Sequence, residues 1–299
     1  MEAPDKLFGF VILHYLAYDM TCDCVDALLS LFPHGLIRIA VVDNASPNGS
    51  GDALRRRYKD VPCVHVLLNG ANEGFARGNN IGYAWLRERF APSYVVVMNN
   101  DVLVRQPDFL CRIDELYGRT RFAVLGPDIV NPATGSHQNP RYATDARYLR
   151  GQGEEDVRQM NLWNRHILKF FPYYYTRHLL LGWLRRFFPK KGHGVPVPVD
   201  QEMEAVVLHG SCYIFSEDFM KKRREAFNPE TFLYFEEDIL HLECTRAGLR
   251  MLYSPRLHVQ HLEDVSTDMM RASPYHKQKR KIQEIVKSSD VFLRICREP

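Results

Sequence analysis

Carboxylates stand directly behind apolar runs at three places in this sequence. Asp43 follows IRIAVV (37–42), Asp101 follows YVVVM (94–98) and an Asn99-Asn100 pair, and Glu236-Glu237-Asp238 follows TFLYF (231–235). A carboxylate at the end of a buried strand can hold a cation or a polar ligand. Three adjacent carboxylates raise one another's pKa, which suits one of them to accept a proton. Each position also has a plainer use. Asp43 serves equally well to cap the next helix or close a turn, and the triplet equally suits an exposed helix start, where acids complement the dipole. Asp101 lies in an Asn-Asn-Asp run with no apolar residue to bury, which favours a ligand or a metal.

Two further patterns carry chemistry. In NGANEGFARGNNIG (69–82), Gly74, Gly78 and Gly82 recur every four positions and share one helix face. Glycine costs about 1 kcal/mol per site inside a helix, so this bare face implies close approach by a sheet or a ligand. Arg77 and Asn79-Asn80 can donate to a diphosphate or a ribose. His258-x-x-His261 offers metal ligands. The chain has no GxGxxG, no phosphate-binding P-loop, no HExxH and no paired CxxC, which argues against dinucleotide binding, P-loop chemistry and zinc hydrolysis. Gly210-Ser211-Cys212 is not a nucleophile elbow.

The elements that must position these residues are legible in the hydrophobic pattern. Leu7–Leu13, 37–42, 64–68 and 94–98 read as continuous buried strands, and segments near 20–32, 51–58 and 75–90 read as helices between them. That alternation predicts an α/β, doubly wound, mainly parallel sheet with helices on both faces. Beyond residue 105, strands are expected at 122–125, 206–215, 249–253 and 257–260, and helices at 236–247 and 275–296. The pattern divides the chain into a first half (1–130), an insertion (131–200), a second half (201–270) and a C-terminal helix (271–299). Charged residues make up 25% of the chain, net charge is +3 and mean hydropathy is −0.31. These values exclude bulk disorder and a membrane channel, and the charge is too small to imply nucleic acid. Seven scattered cysteines suit reduced, buried thiols rather than a disulfide framework. The N-terminus has no basic stretch ahead of its apolar run, so no secretory signal is expected.

Taken in order, VVDNASPNGS (41–50), NEGFARGNNIGY (72–83), VVVMNNDV (95–102), HGSCYIFS (209–216), FLYFEEDIL (232–240) and HLEDVST (261–267) resemble the family-two glycosyltransferases of the GT-A fold, on the bacterial rhamnosyltransferase-like branch. The resemblance implies an inverting transfer of a sugar from a UDP- or dTDP-sugar to a glycan or lipid-linked acceptor, in bacterial cell-surface polysaccharide synthesis in the cytoplasm. It implies nucleotide contacts from Asp43, Asn44, Ser46, Asn72, Gly74, Arg77, Asn80 and Asn99, and a Mg or Mn ion held by Asp101 and His261. Asn99 stands where the family has the first acid of Asp-x-Asp, so Asp101 carries most of the metal contact. Glu237 is implied as the base, with Asp238 and Glu236 as rivals. The alternatives are a catalytically inactive nucleotide-sugar-binding module and a sugar nucleotidyltransferase. Residues 161–191 hold seven Lys or Arg, no Asp or Glu, and nine aromatic rings. Pro172 splits this segment into two helical pieces too short to span a bilayer. The pattern suits peripheral contact with an anionic membrane at its inner face, or an oligomer interface.

Overall fold

The structure is a computed structural model that describes residues 6–141, 152–177, 199–262 and 273–298. It confirms the α/β architecture. Strands β1 (Phe8–His14), β2 (Ile37–Asp43), β3 (Val64–Leu68) and β4 (Tyr94–Asn99) are parallel neighbours in the order β3-β2-β1-β4. The sheet continues through β8 (Cys212–Ser216), β6 (Val124–Val130), β9 (Met251–His261) and β5 (Val102–Val104), with β7 (Met203–Glu204) beside β9. Strand β8, from the later half of the chain, lies antiparallel between β4 and β6, so both halves expected from the sequence share one sheet.

The sheet buries both faces because its central strands β1, β2 and β4 are mostly apolar. Phe8, Phe10 and Ile12 point to one side, against α1 (Tyr18–Leu31) and α4 (Phe109–Thr120). Val11, Val42 and Val97 point to the other, against α3 (Gly74–Phe90). The glycine face of α3 meets the sheet itself. A Cβ on Gly78 would lie 2.6 Å from Leu13 Cδ1, and one on Gly82 would lie 2.6 Å from Val11 Cγ1. Of the two uses open to that face, the structure assigns Gly78 and Gly82 to helix–sheet packing.

Three departures from the sequence reading matter. The expected strands at 249–253 and 257–260 are one strand, β9, whose pairing with β6 jumps from Pro127↔Ser254 to Asp128↔His258; the extra residues around Pro255 are accommodated as a bulge. The expected strand 206–215 begins only at Cys212, and the residues before it form a loop over the sheet edge. Helix α4 and strand β5 were not expected from the hydrophobic pattern. The remaining elements are α2 (Ser50–Arg57), α5 (Gln152–Lys169), α6 (171–177), α7 (Glu217–Lys222), α8 (Glu236–Arg246) and α9 (Pro274–Arg297). Helices α5, α8 and α9 share a small core of Val157, Ile239, Leu242, Phe292 and Leu293. All seven cysteines are free thiols, and burial pushes the thiols of Cys212 and Cys244 up to about 12.

Candidate active site

Parallel pairing puts the C-terminal ends of β2, β1 and β4 in a row. His14 registers with Asp43, and Leu13 with Asn99, so Asp43 and Asn99 stand about 10 Å apart, two strand spacings. Asp43 is buried and accepts the Ser46 N–H at 3.2 Å. Gly51 at the start of α2 fits against it, since a Cβ there would come within 2.2 Å of Asp43 Oδ2. His14 sits between the hydroxyls of Thr21 and Ser50, at 2.7 Å from each. Burial pushes its pKa down to about 4, against the pull of Asp43, so the ring is neutral at pH 7.

The amides expected beside Asp43 are used inside the fold. Asn44 Nδ2 donates to Asn72 Oδ1 and to the Gly74 carbonyl, while its Oδ1 accepts from Asn69 Nδ2 and the Glu73 N–H. That fills the side chain's whole hydrogen-bonding capacity, so in this structure Asn44 holds the 69–74 loop in place beside Asp43. Asn72 Oδ1 also accepts the Gly74 N–H. Gly74 has φ +76°, and a Cβ there would meet the Phe232 carbonyl at 2.4 Å, so this position requires glycine. Asn80 is buried, donates to the Phe227 carbonyl and accepts the Phe227 N–H. It pins α3 to the 227 loop. Arg77 is exposed and donates to the Pro229 carbonyl, on the outer side of that loop. Ser46 stays at the edge, where its Oγ accepts the Leu16 N–H.

The other end of the row is built from later parts of the chain. Antiparallel pairing of β4 with β8 ends with the Asn99 N–H on the Ser211 carbonyl, which lays the His209-Gly210-Ser211 loop over the edge. Antiparallel pairing of β5 with β9 sets His261 opposite Val102, next to Asp101. The His261 and His209 rings lie 5.7 Å apart. Burial, and then the neighbouring His261, pushes the His209 pKa down to about 4. Helix α8 supplies the acidic triplet. Glu237 Oε1 accepts the Gly210 N–H at 3.2 Å, and its Oε2 meets Arg141 Nη1 at 3.1 Å. Asp238 Oδ2 lies 3.3 Å from the same nitrogen. Burial lifts the Glu237 carboxyl above its ordinary range, and Arg141 holds it back. Glu236 turns away, deeply buried, and burial followed by repulsion from Glu237 raises it to about 8. The helix is aimed by Tyr234 and Phe235, two consecutive aromatic residues at φ 74° and 69°. Left-handed backbone at bulky residues is strained and persists where the surroundings enforce it. Here Ser288 Oγ holds the Leu233 carbonyl and Phe75 N–H holds the Phe232 carbonyl.

The segment His137–Arg141 ties these parts together, and the sequence reading had placed it in an insertion. His137 bonds Asp128, Gln138 Oε1 lies 2.7 Å from His261 Nδ1, and Asn139 bonds the Pro127 carbonyl and the His209 N–H. Arg141 reaches Glu237 and Asp238. The available signal was the residue types themselves: four polar side chains in HQNPR, directly after a buried strand.

Among the described residues, no group of three or more His, Cys, Asp or Glu side chains could hold a metal alone. The fold instead brings together a pair. Asp101 Oδ1 and His261 Nε2 are 3.3 Å apart, both side chains are nearly buried, and Asp101 Oδ1 has no hydrogen-bond donor. Gln138 Oε1 can only accept, so Nδ1 is the donor there, and Nε2 is the ring atom that faces the carboxylate oxygen. A carboxylate oxygen and an imidazole nitrogen at this separation suit two ligands of one cation. One or two protein ligands completed by substrate phosphates is also the usual donor set for Mg. The residues present therefore fit a divalent ion bound together with a nucleotide diphosphate.

The family model described as glycosyl transferase family 2 matches residues 10–179, more than half of the chain. The chain belongs to glycosyl transferase family 2. It is 24% identical over 206 residues to the low-salt glycan biosynthesis hexosyltransferase Agl10 of Haloferax volcanii, covering 68% of this chain and 52% of that protein. It is 36% identical over 89 residues to the undecaprenyl-phosphate mannosyltransferase of Micrococcus luteus, covering 29% of this chain and 35% of that one. The family 2 chain thus spans about half of the Haloferax relative and a third of the Micrococcus one. Among solved structures, it is similar in fold to the mannosyltransferase PcManGT of Pyrobaculum calidifontis in complex with GDP-Man and Mn2+, with TM-score 0.57, 14% identity and coverage of 97% and 64%. It is also similar to S. aureus TarS 1-349 in complex with UDP-GlcNAc, with TM-score 0.54, 11% identity and coverage of 94% and 65%.

Proposed function

We propose that this family 2 chain transfers a hexose from a nucleoside-diphosphate sugar to an acceptor hydroxyl, with inversion at the anomeric carbon. One observation carries the reading. A single sheet edge presents Asp43 at one end and, at the other, the Asp101–His261 pair beside a carboxylate held by Gly210 and Arg141. Asp43 accepts an N–H of the nucleobase, and Asn99 borders the diphosphate. A divalent ion, Mg or Mn, would be held by Asp101 and His261, where its charge offsets that of the departing diphosphate. Glu237 takes the proton of the acceptor hydroxyl as that oxygen bonds the anomeric carbon. The bond from the anomeric carbon to the diphosphate breaks on the opposite face, which inverts the centre. Glu237 is the preferred base because its two oxygens are oriented by the Gly210 N–H and Arg141, next to the metal pair. Glu236 makes neither of these contacts, and Asp238 is more deeply buried.

The resemblance favours a UDP- or dTDP-sugar as donor. The GDP-Man and UDP-GlcNAc of the similar structures make a guanosine donor worth including. A lipid-linked or glycan acceptor in cell-surface polysaccharide synthesis is the favoured setting, supported by the undecaprenyl phosphate in the name of the Micrococcus relative. The test is release of nucleoside diphosphate from UDP-, dTDP- and GDP-sugars with and without Mg or Mn. One donor class should turn over only with the ion. Asp101→Ala should lower that turnover at least about 10²–10³-fold, the scale for losing one charge-stabilising group, with circular dichroism unchanged. Near-normal activity of Asp101→Ala would remove the metal assignment. Donor binding without turnover for every sugar would favour the inactive binding module.

A further inference from the structure

Exposed apolar side chains are unevenly placed on this molecule. Of seven large hydrophobic residues exposed among those described, four lie between 162 and 173: Leu162 at 62%, Trp163 at 56%, Phe170 at 44% and Tyr173 at 61%. They do not complete a core. The inward rings here are Phe171, which is 1% exposed, and Tyr175; each packs 4.9 Å from Tyr275 and fastens α6 to the first turn of α9. Trp163 is braced from below by His166 and Tyr174, both at 5.8 Å, and Tyr173 by Tyr174 at 5.5 Å. The outer rings are held in place and still face out.

The charge around them is mainly positive; the acid bonded to it, Asp290 of α9, lies 2.5 Å from Arg165. Residues 161–177 contain Arg165, Lys169 and Arg177, residues 274–283 contain Lys277, Lys279, Arg280 and Lys281, and neither stretch contains Asp or Glu. Lys169 lies over the Phe170 ring at 5.5 Å. The acids of α5, Glu154, Glu155 and Asp156, sit towards its other end, about 10 Å along the helix from Leu162 and about 20 Å from Lys169. Among the described residues no helix is long and apolar enough to cross a membrane, so the patch is suited to lying on a surface.

We propose that the C-terminal end of α5, α6 and the first turns of α9 form a docking face for an anionic membrane. Trp163, Phe170, Tyr173 and Leu162 lie at the headgroup level, where amphipathic rings are favoured. The basic residues face lipid phosphates, their stems lying along the apolar surface. A patch with two basic segments whose bonded acid, Asp290, is paired with Arg165 is complementary to a uniformly negative surface. A protein surface of mixed charge would leave several of these cations unmatched.

The face also adjoins the catalytic loop. Lys281 Nζ lies 6.0 Å from the Tyr234 ring, and Arg280 lies 5.9 Å from that of Phe232. Tyr234 is two residues before Glu236. A hydroxyl presented at the headgroup level therefore arrives beside the acidic triplet. This last step rests on the glycosyl-transfer reading, whereas membrane binding does not.

Co-sedimentation of the full chain with two kinds of vesicle tests the proposal. One kind is phosphatidylcholine alone, and the other is phosphatidylcholine mixed with phosphatidylglycerol. The chain should pellet with the mixed vesicles only and be released by high salt, since the attraction is screened. Lys169→Gln and Lys279→Gln should each weaken partitioning about fivefold. Trp163→Ser combined with Phe170→Ser and Tyr173→Ser should abolish it, with the circular dichroism spectrum unchanged. Equal pelleting with both vesicle types, or indifference to these substitutions, would overturn the proposal. So would failure to pellet alongside a concentration-dependent dimer, by light scattering, that the ring substitutions dissolve. Vesicle binding without any sugar transfer would leave this proposal standing and count against the catalytic one.

Discussion

The two ends of the cleft are held by different kinds of interaction. At the Asp43 end, neutral amides close on one another: Asn44 uses all its donors and acceptors on Asn69, Asn72, Glu73 and Gly74, and Asn80 is locked to the Phe227 backbone. At the other end, charges are packed together. Two carboxylates, Glu237 and Asp238, share one arginine, Glu237 also takes one backbone N–H, two carboxylate oxygens, on Asp101 and Glu236, have no hydrogen-bond partner, and the chain leading to the triplet is strained at Tyr234-Phe235. The first end is complete as a scaffold. The second gains compensation from a proton, a guanidinium or a cation. Substitutions at the first end should therefore act on folding and donor affinity, and those at the second on rate and pH dependence.

The largest expected effect comes from the base. Glu237→Gln preserves shape and one acceptor oxygen, which can stay on the Gly210 N–H, but its NH2 cannot accept from Arg141 and the side chain cannot accept a proton. Its kcat should fall about 10²–10⁴-fold, with donor affinity by calorimetry unchanged. A matched substitution at the scaffold end, Asn44→Ala, should do the reverse, weakening folding while sparing kcat per folded molecule. If Asp238→Asn or Glu236→Gln causes the large kinetic loss instead, the base is the neighbouring residue and the assignment shifts along α8.

This contrast also separates what the sequence discloses from what it hides. Asp43, Asp101 and Glu236–Asp238 could be singled out because each follows an apolar run whose strand or helix is fixed by local pattern. The parallel strands and the Gly78–Gly82 packing face were legible for the same reason. The pairing of Asp101 with His261 was not legible from periodicity, because it depends on the antiparallel register of β5 against β9 across more than 150 residues. Nor was the work of His137–Arg141, whose polar residues have no period and act only through long-range contacts. The left-handed conformations of Leu16, Ala45, Tyr234 and Phe235 leave no trace in composition, since the residues that usually mark such turns are Gly and Asn. Tertiary contacts impose them.

A second prediction sharpens the contrast through stability. Glu236 has a folded pKa raised to about 8 by burial, so between its unfolded value and pH 8 the folded chain holds a proton that the unfolded chain has lost. Stability then falls as pH rises through that window. The full effect is on the order of 3–5 kcal/mol at pH 9, from about 1.4 kcal/mol for each pH unit of the window. His14, at the scaffold end, has the opposite sign: its folded pKa is depressed to about 4, so its contribution is present above about pH 6.5 and lost as pH falls towards 4. Thermal unfolding across pH 5–9 should show Glu236→Gln flattening the alkaline decline and leaving the acid decline intact. An unchanged alkaline slope would mean that Glu236 is hydrated or paired in solution, and the charge contrast between the two ends would weaken.

The smallest expected effect decides what Arg141 does. Its guanidinium lies 3.1 Å from Glu237 and 3.3 Å from Asp238, and its positive charge opposes the rise in the Glu237 pKa that burial causes. Asp238 also lies beside this group and pushes the Glu237 pKa upward. Removing the guanidinium with Arg141→Gln should move the acid limb of the kcat/KM profile to higher pH. The base must be ionised to act, so the loss is greatest below its pKa, about tenfold for each pH unit by which the limb moves, and it shrinks at alkaline pH as Glu237 ionises in both proteins. Arg141→Lys keeps the charge while losing the planar fork, and should restore most of the acid limb. Those outcomes make Arg141 a positioning residue that tunes the base through its charge. A loss equal at every pH, with KM raised and no rescue by lysine, would make it a substrate contact. The catalytic end would then lack its compensating cation for Glu237, and the Gly210 N–H alone would have to hold the base in its ionised form.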